Sequence, residues 1–276
     1  MTQPPARSIP ADDRGLLYGD GVYRTCIALA GEVWQAERQF QRLADDCNAL
    51  GIAPPDTAWL AQCIAADCLN IARALVRITV TRGGGARGYR PPLQPEPQVY
   101  LFVSTAPEPR AWNAGWRLRT CDLRLALQPR LAGIKHLNRL ENVLARGEWD
   151  DPDIDDGLLL DARGCVVETV SANLFWAQSG RVFTPSLDAS GIRGVQRDCV
   201  LESLQADGVP VEIGDFDPGA LLAADEAWVC NSVIGVRAVT ALDRHRYTPG
   251  PLTRRLAAAL ACPTANAPSG KQDATG

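Results

Sequence analysis

Apolar and polar positions in this chain alternate with period two in several short stretches and recur at helical spacing in others, the two kinds interleaved. TCIALAGEVWQA, residues 25–36, alternates on both sides of Ala30-Gly31, the pattern of a hairpin closed by a two-residue turn. ERQFQRLADDCNALG (37–51) follows, with Phe40, Leu43, Cys47 and Leu50 at helical spacing and Gly51 placed to stop the helix. ALVRITVTR (74–82) and QVYLFVST (98–105) read as strands, and the Gly- and Pro-rich residues 83–97 between them as loop. In the second half, WRLRTCDLRLA (116–126) reads as a strand. LNRLENVLARGEW (137–149) reads as a helix with Leu137, Leu140, Val143 and Leu144 on one side. GLLLDARGCVVET (157–169) and NLFWAQSGRVFTP (173–185) are hairpins turning at DARG and at Ser179-Gly180. VQRDCVLESLQADG (195–208) is a helix closing on Gly208, and EAWVCNSV (226–233) a buried strand.

Hairpins interleaved with helices predict an α+β fold with antiparallel sheets rather than regular βαβ repeats. TAPEPRAWNAG (105–115) has the Pro and Gly content of a boundary, giving a smaller domain over 1–110 and a larger one over 111–262. The polar tail from Pro263 to Gly276 is expected to be disordered. Composition narrows the class. With 276 residues, 46% of them hydrophobic and 22% charged, the chain is an ordinary globular protein with ample length for a core. A net charge of −4 gives no global attraction to nucleic acid or anionic membrane. There is no apolar run of the ~20 residues that spans a bilayer, and the N-terminus lacks the apolar region of a signal peptide. Nine cysteines, an odd set without a C-x-x-C pair, indicate neither a disulfide framework nor a zinc site. They read as core residues of a cytoplasmic protein.

Lysine usage brings in the chemistry. Of 28 Lys plus Arg residues only two are lysines, Lys135 in mid-chain and Lys271 in the tail. An amine condenses with carbonyls, whereas a guanidinium stays protonated and is a poor nucleophile. In a chain so biased toward arginine, a mid-chain lysine is explained by a need for its amine, or by chance survival of a surface residue. Elsewhere stand Glu168 at the end of VVET, then Ser171 and Asn173. GIRG (191–194) precedes a helix, where backbone N–H groups can cradle a phosphate. A lysine, an acid for a pyridinium nitrogen and a phosphate cup are the parts of a pyridoxal phosphate site. Taken singly, GIRG is also a plain turn and Glu168 a strand end. His136, next to Lys135, reads as structural or as a hydrogen-bond partner.

The segments RGLLYGDGVYRT, IKHLNRL, VVETVSANLFW, TPSLDASGIRGVQR and VCNSVIGVRAV occur in the order found in class IV aminotransferase-like enzymes of fold type IV. The resemblance runs from about Asp13 to Val239. It implies a two-domain α+β fold with antiparallel or mixed sheets and flanking helices, pyridoxal 5'-phosphate as cofactor, and a homodimer. GIKHLNRLENVLAR resembles the branch of the family that eliminates pyruvate from 4-amino-4-deoxychorismate to leave 4-aminobenzoate for folate synthesis. The alternatives are a D-amino-acid or branched-chain aminotransferase, or a non-catalytic cofactor-binding relative.

By that resemblance Lys135 matches the Schiff-base lysine and Glu168 the acid paired with the pyridine nitrogen. Arg42, which periodicity would leave in solvent, matches a phosphate-binding arginine. The amides of Ile192 and Arg193 match the phosphate cup, Asn231 and Ser232 the loop completing it, and Asn173 the residue shaping the pocket beside Glu168. Thr25 is the candidate proton relay, and Tyr18 and Tyr23 line the pocket. Substrate carboxylates are expected to meet Arg82, Arg87 and Arg90 on the Gly-rich loop, where planar guanidinium forks suit them, and Arg87 and Tyr89 are the closest matches to the family's substrate-side segment. Arg24 stands where many relatives carry Glu, and that reversal suggests an anionic substrate.

Overall fold

The computed structural model describes residues 5–6, 8–85 and 87–262, so the tail 263–276 lies outside the described residues. Strands β1 (Gly21–Leu29), β2 (Glu32–Val33), β3 (Arg73–Thr81) and β4 (Gln98–Thr105) form one antiparallel sheet in the order β2-β1-β3-β4. The hairpin turns where expected: Ala30 and Gly31 both adopt positive φ, 48° and 87°, the geometry a two-residue turn requires. Helices α1 (Arg14–Tyr18), α2 (Ala36–Ala49) and α3 (Thr57–Asp67) accompany this sheet. Val22, Cys26, Val76 and Ile78 from one face pack against Phe40, Leu43 and Cys47 of α2 and Leu60 and Ile64 of α3.

The remaining strands build a second, mixed sheet. β5 (Trp116–Leu125), β6 (Asp156–Asp161), β7 (Val166–Thr169), β8 (Asn173–Gln178), β9 (Arg181–Pro185), β10 (Val211–Gly214), β11 (Glu226–Asn231) and β12 (Gly235–Leu242) lie in the order β10-β9-β8-β11-β12-β5-β6-β7. β13 (His245–Arg246) pairs with β12. Three of its pairings, β10 with β9, β12 with β5 and β5 with β6, are parallel, where alternation alone suggested antiparallel sheets. Along β8 the side chains alternate between two cores. Leu174 and Trp176 pack with Val229 and Leu221, and Phe175 and Ala177 with Val200 and Leu256. Helices α4 (Leu140–Arg146), α5 (Val195–Ala206), α6 (Pro218–Leu222) and α7 (Pro251–Ala259) complete the fold. Among the described residues no helix is long and apolar enough to cross a membrane.

One element departs from expectation. The helix read over 137–149 begins only at Leu140, because Leu137 N–H donates to Gly21 O at 2.9 Å and is therefore held in extended pairing. Its apolar stripe is also outside this chain's core: Leu140, Val143 and Leu144 are 68%, 63% and 57% exposed, and the buried residue of α4 is Ala145.

Asp13 pins α1 to the first sheet. It is fully buried, and its Oδ1 accepts from Gly15 N at 2.7 Å, capping α1. Its Oδ2 accepts from the hydroxyls of Thr81 at 2.8 Å and Tyr100 at 2.9 Å. Asp13→Ala leaves three donors unsatisfied and is expected to lower unfolding free energy by about 2–4 kcal/mol, read as a lower urea midpoint. An unchanged midpoint would contradict this role.

Candidate active site

Lys135 sits on a strap bonded to β1 on one side and to the loop before α5 on the other. Residues 135–137 pair antiparallel with β1, Tyr23 N–H donating to Lys135 O at 2.9 Å, and Gly133 N–H donates to Gly191 O at 2.9 Å on the other side. Neighbouring side chains of an extended segment point to opposite sides. Lys135 accordingly lines a cavity of about 620 Å³, within the usual range for small-molecule sites, while His136 lines a second cavity of about 630 Å³. Burial pushes the His136 imidazole down to about 4, helped by Arg139, whose Nη2 lies 3.1 Å from its Nδ1. A neutral ring turned away from Lys135 fits the structural reading.

Within the first cavity, Lys135 Nζ lies 4.5 Å from the centroid of the Tyr23 ring, and the Arg77 guanidinium covers the same ring at 3.9 Å. Burial lowers the pKa of the Lys135 amine; Tyr23 and Glu168 oppose that and Arg24 reinforces it. Glu168, on β7, is 4% exposed, and burial pushes its carboxyl up to about 7. Its Oε2 accepts from Ile192 N–H at 3.1 Å and from Asn173 Nδ2 at 3.3 Å. Asn173 also donates to Ile192 O at 2.7 Å and accepts from Gly194 N–H at 3.1 Å, fastening the loop before α5 to the acid. A Cβ on Gly194 would stand 2.4 Å from the Asn173 Oδ1, so the contact requires glycine.

The other expected residues divide. Thr25, Asn231 and Ser232 line the cavity with Tyr23, Lys135, Glu168, Asn173 and Ile192. Asn231 accepts from Val233 and Ile234 N–H at 2.9 Å each, shaping its own turn. The amides of Ile192 and Arg193 are already engaged, the first by Glu168 and the second by Gly133 O at 3.1 Å. The Gly194 N–H is likewise held by Asn173, so an anion would be met from Val195 on, where α5 begins without a capping side chain and lines the cavity. The Arg193 side chain pairs with Asp188. Arg42 is half-buried where α2 meets α5: it pairs with Asp198, and its Nη1 donates to Arg193 O at 3.4 Å.

Three substrate expectations need correction. Arg24 alternates with Tyr23 along β1, so its guanidinium turns onto Asp46 of α2 although the residue borders the cavity. Arg82 bonds Asp20 through Nε at 2.8 Å and donates to Gly51 O and Leu50 O at 2.8 and 2.7 Å, closing the end of α2. Arg87 and Tyr89 are exposed and lie outside the cavity lining. Tyr89 packs against Tyr18, ring centroids 5.4 Å apart, and its carbonyl is held by Arg14 at 3.0 Å.

Other residues were missed. Asp46, 4% exposed, accepts from the Lys135 main-chain N–H at 3.3 Å. Gln39, 1% exposed, donates to Ser232 Oγ at 2.9 Å. With Arg42 they form one stripe of α2 at positions 39, 42 and 46, bordering the apolar stripe of 40, 43 and 47. Arg77, Arg139 and Arg146 also line the cavity.

Pyridoxal phosphate suits this donor set. An amine with a lowered pKa, a buried carboxyl whose Oε1 has no hydrogen-bond partner among the described residues, and an uncapped helix start share one cavity. Those are the groups its carbonyl carbon, ring nitrogen and phosphate each call for.

The profile of the class IV amino-transferase family matches residues 21–242. An aminodeoxychorismate lyase of Vibrio harveyi is 38% identical over 258 residues, 91% of this chain and 95% of that protein. A putative branched-chain-amino-acid aminotransferase of Methanocaldococcus jannaschii is 30% identical over 84% of this chain and 81% of its own. The crystal structure of 4-amino-4-deoxychorismate lyase from Pseudomonas aeruginosa superposes with a TM-score of 0.87 at 44% identity, covering 93% of this chain and 95% of that one.

The raised Glu168 pKa has a stability consequence. Burial holds the carboxyl near 7 against an ordinary 4.5, so its neutral form stabilises the fold fully below about pH 4.5. As pH rises toward 7 the unfolded chain releases its proton first and stability is lost. In cofactor-free protein, Glu168→Gln should therefore gain on the unmutated chain across this window, by on the order of 3 kcal/mol above pH 7. Urea unfolding between pH 4 and 8 reads it, and a pH-independent gap would refute it.

Proposed function

The chain belongs to the class IV amino-transferase family, and from that premise we propose that it is a pyridoxal-phosphate-dependent lyase converting 4-amino-4-deoxychorismate into 4-aminobenzoate and pyruvate. The observation that carries the reading is Lys135, the mid-chain amine whose pKa burial lowers, in one cavity with the buried Glu168. Similarity to lyases along nearly the whole chain supports elimination over amino transfer.

Bound pyridoxal phosphate supplies a carbonyl carbon for an amine and a protonated ring that withdraws electrons from the carbon bearing the substrate nitrogen. The first-turn amides of α5 would hold the phosphate, with Arg42 bracing the loop before α5 from behind through Arg193 O, and Glu168 Oε1 would hold a proton at the ring nitrogen while Asn173 orients the carboxyl. Lys135 Nζ, set beside Tyr23, removes the proton from the substrate ring carbon that carries nitrogen. The neighbouring C–O bond breaks and the ring becomes aromatic. The departing enolpyruvyl carbon takes a proton back from Lys135, or through the Thr25 hydroxyl, and leaves as pyruvate. One proton is removed and one returned, so no oxoacid acceptor is consumed. The substrate carboxylates meet the arginines of the cavity, Arg77, Arg139 and Arg146.

A homodimer in the cytoplasm completes the proposal. Leu16, Leu140, Val143 and Leu144 present large apolar side chains to solvent, 62%, 68%, 63% and 57% exposed, as a subunit contact would use. Buried thiols at Cys26, Cys47, Cys68, Cys121, Cys199 and Cys230 suit a reducing compartment.

Product analysis with 4-amino-4-deoxychorismate and no added oxoacid should give equal amounts of 4-aminobenzoate and pyruvate, and none from Lys135→Ala. Amino-group transfer only after an oxoacid is added would make the protein an aminotransferase of the same fold.

A further inference from the structure

Arg24 of β1 and Asp46 of α2 meet behind the Lys135 main chain, 3% and 4% exposed. The same Asp46 oxygen, Oδ2, accepts from Arg24 Nη2 and from the Lys135 N–H, the latter at 3.3 Å. Arg24 Nε is buried with no hydrogen-bond partner among the described residues. A buried ion pair gives little stability over apolar residues of the same volume, so stability does not explain this one. Its position does. We propose that Arg24 and Asp46 are a positioning pair for Lys135: Asp46 fixes the lysine's main chain, and Arg24 keeps a permanent positive charge beside its amine. The proposal rests on Lys135 being the reactive amine.

The neighbourhood supports an electrostatic role. Charged and titratable groups around Lys135 are Tyr23 and Arg24 from β1, Arg77 from β3, Arg42 and Asp46 from α2, Glu168 from β7, Arg139 and Arg146 at the start and end of α4, and the neutral His136 from the strap. Tyr23 and Glu168 favour the charged amine, whereas Arg24 acts with burial to favour the neutral nucleophile. Asp46 also continues the α2 stripe that reaches Ser232 through Gln39 and the loop before α5 through Arg42. The pair thus ties the lysine to the helix that meets the phosphate end of the site.

With two lysines in the chain, competitive acetylation by limiting acetic anhydride, read by peptide mass spectrometry across pH, reports Lys135 directly, with Lys271 as internal reference. In the full chain freed of cofactor, Arg24→Gln/Asp46→Asn should raise the pH of half-maximal Lys135 labelling by about one unit and leave Lys271 unmoved. Arg24→Gln alone should raise it further, because Asp46 then stays unpaired, and Arg24→Lys should hold it near the unmutated value. If the polar double variant fails to fold, Arg24→Met/Asp46→Leu gives the same reading, since apolar replacements of buried pairs are tolerated. A folded, charge-free variant with an unmoved Lys135 midpoint overturns the proposal, as does an Arg24→Lys shift equal to that of the double variant. Labelling does not depend on turnover. A chain that makes no 4-aminobenzoate but shows the shift therefore loses the lyase reading and keeps the pair.

Discussion

A charged group taken out of water must find a partner or give up its charge, and the wall around Lys135 is organised by that demand. Glu168 resolves it by moving toward neutrality, with N–H groups of the chain on one oxygen. Lys135 resolves it in the same sense, leaning toward the free amine. Arg24 cannot, because a guanidinium does not shed its proton near neutral pH, so it carries Asp46 as its counter-ion. Two groups that shift and two that pair leave the cavity with an amine ready to act and an acid ready to meet a cation.

The fold was legible where backbone pattern is local. The turns at Ala30-Gly31 and Ser179-Gly180 both have positive φ in the structure, and strands from 74–82 to 173–185 stand where alternation placed them. Long-range pairing was not legible. The parallel contacts of β5 with β6 and β12 join segments far apart in sequence, which no local period encodes. The apolar stripe of α4 is legible but not what it faces, since Leu140, Val143 and Leu144 stay exposed, and the start of the helix is overruled by a hydrogen bond from Leu137 to Gly21.

At the site, residues fixed by chemistry were legible and those fixed by geometry were not. The need for an amine singled out Lys135, and the need for an acid Glu168. Arg24 and Arg82 were assigned to substrate by charge, yet in the structure each is bound by an acid, Asp46 and Asp20. Asp46 and Gln39 carry a weak signal in the sequence: polar residues flush against the apolar stripe of an amphipathic helix. That signal acquires meaning only when the helix is seen to lie under the strap.

The strap itself has a further consequence. Because residues 133–137 bond to β1 on one edge and to residues 191–193 on the other, the amine reaches its place only when both halves of the chain are folded. The site behaves as a coincidence detector. A chain with only the second sheet formed holds the acid but leaves the lysine without its β1 edge, and one with only the first sheet lacks the acid altogether, so neither has the pair that acts on a reactive aldehyde.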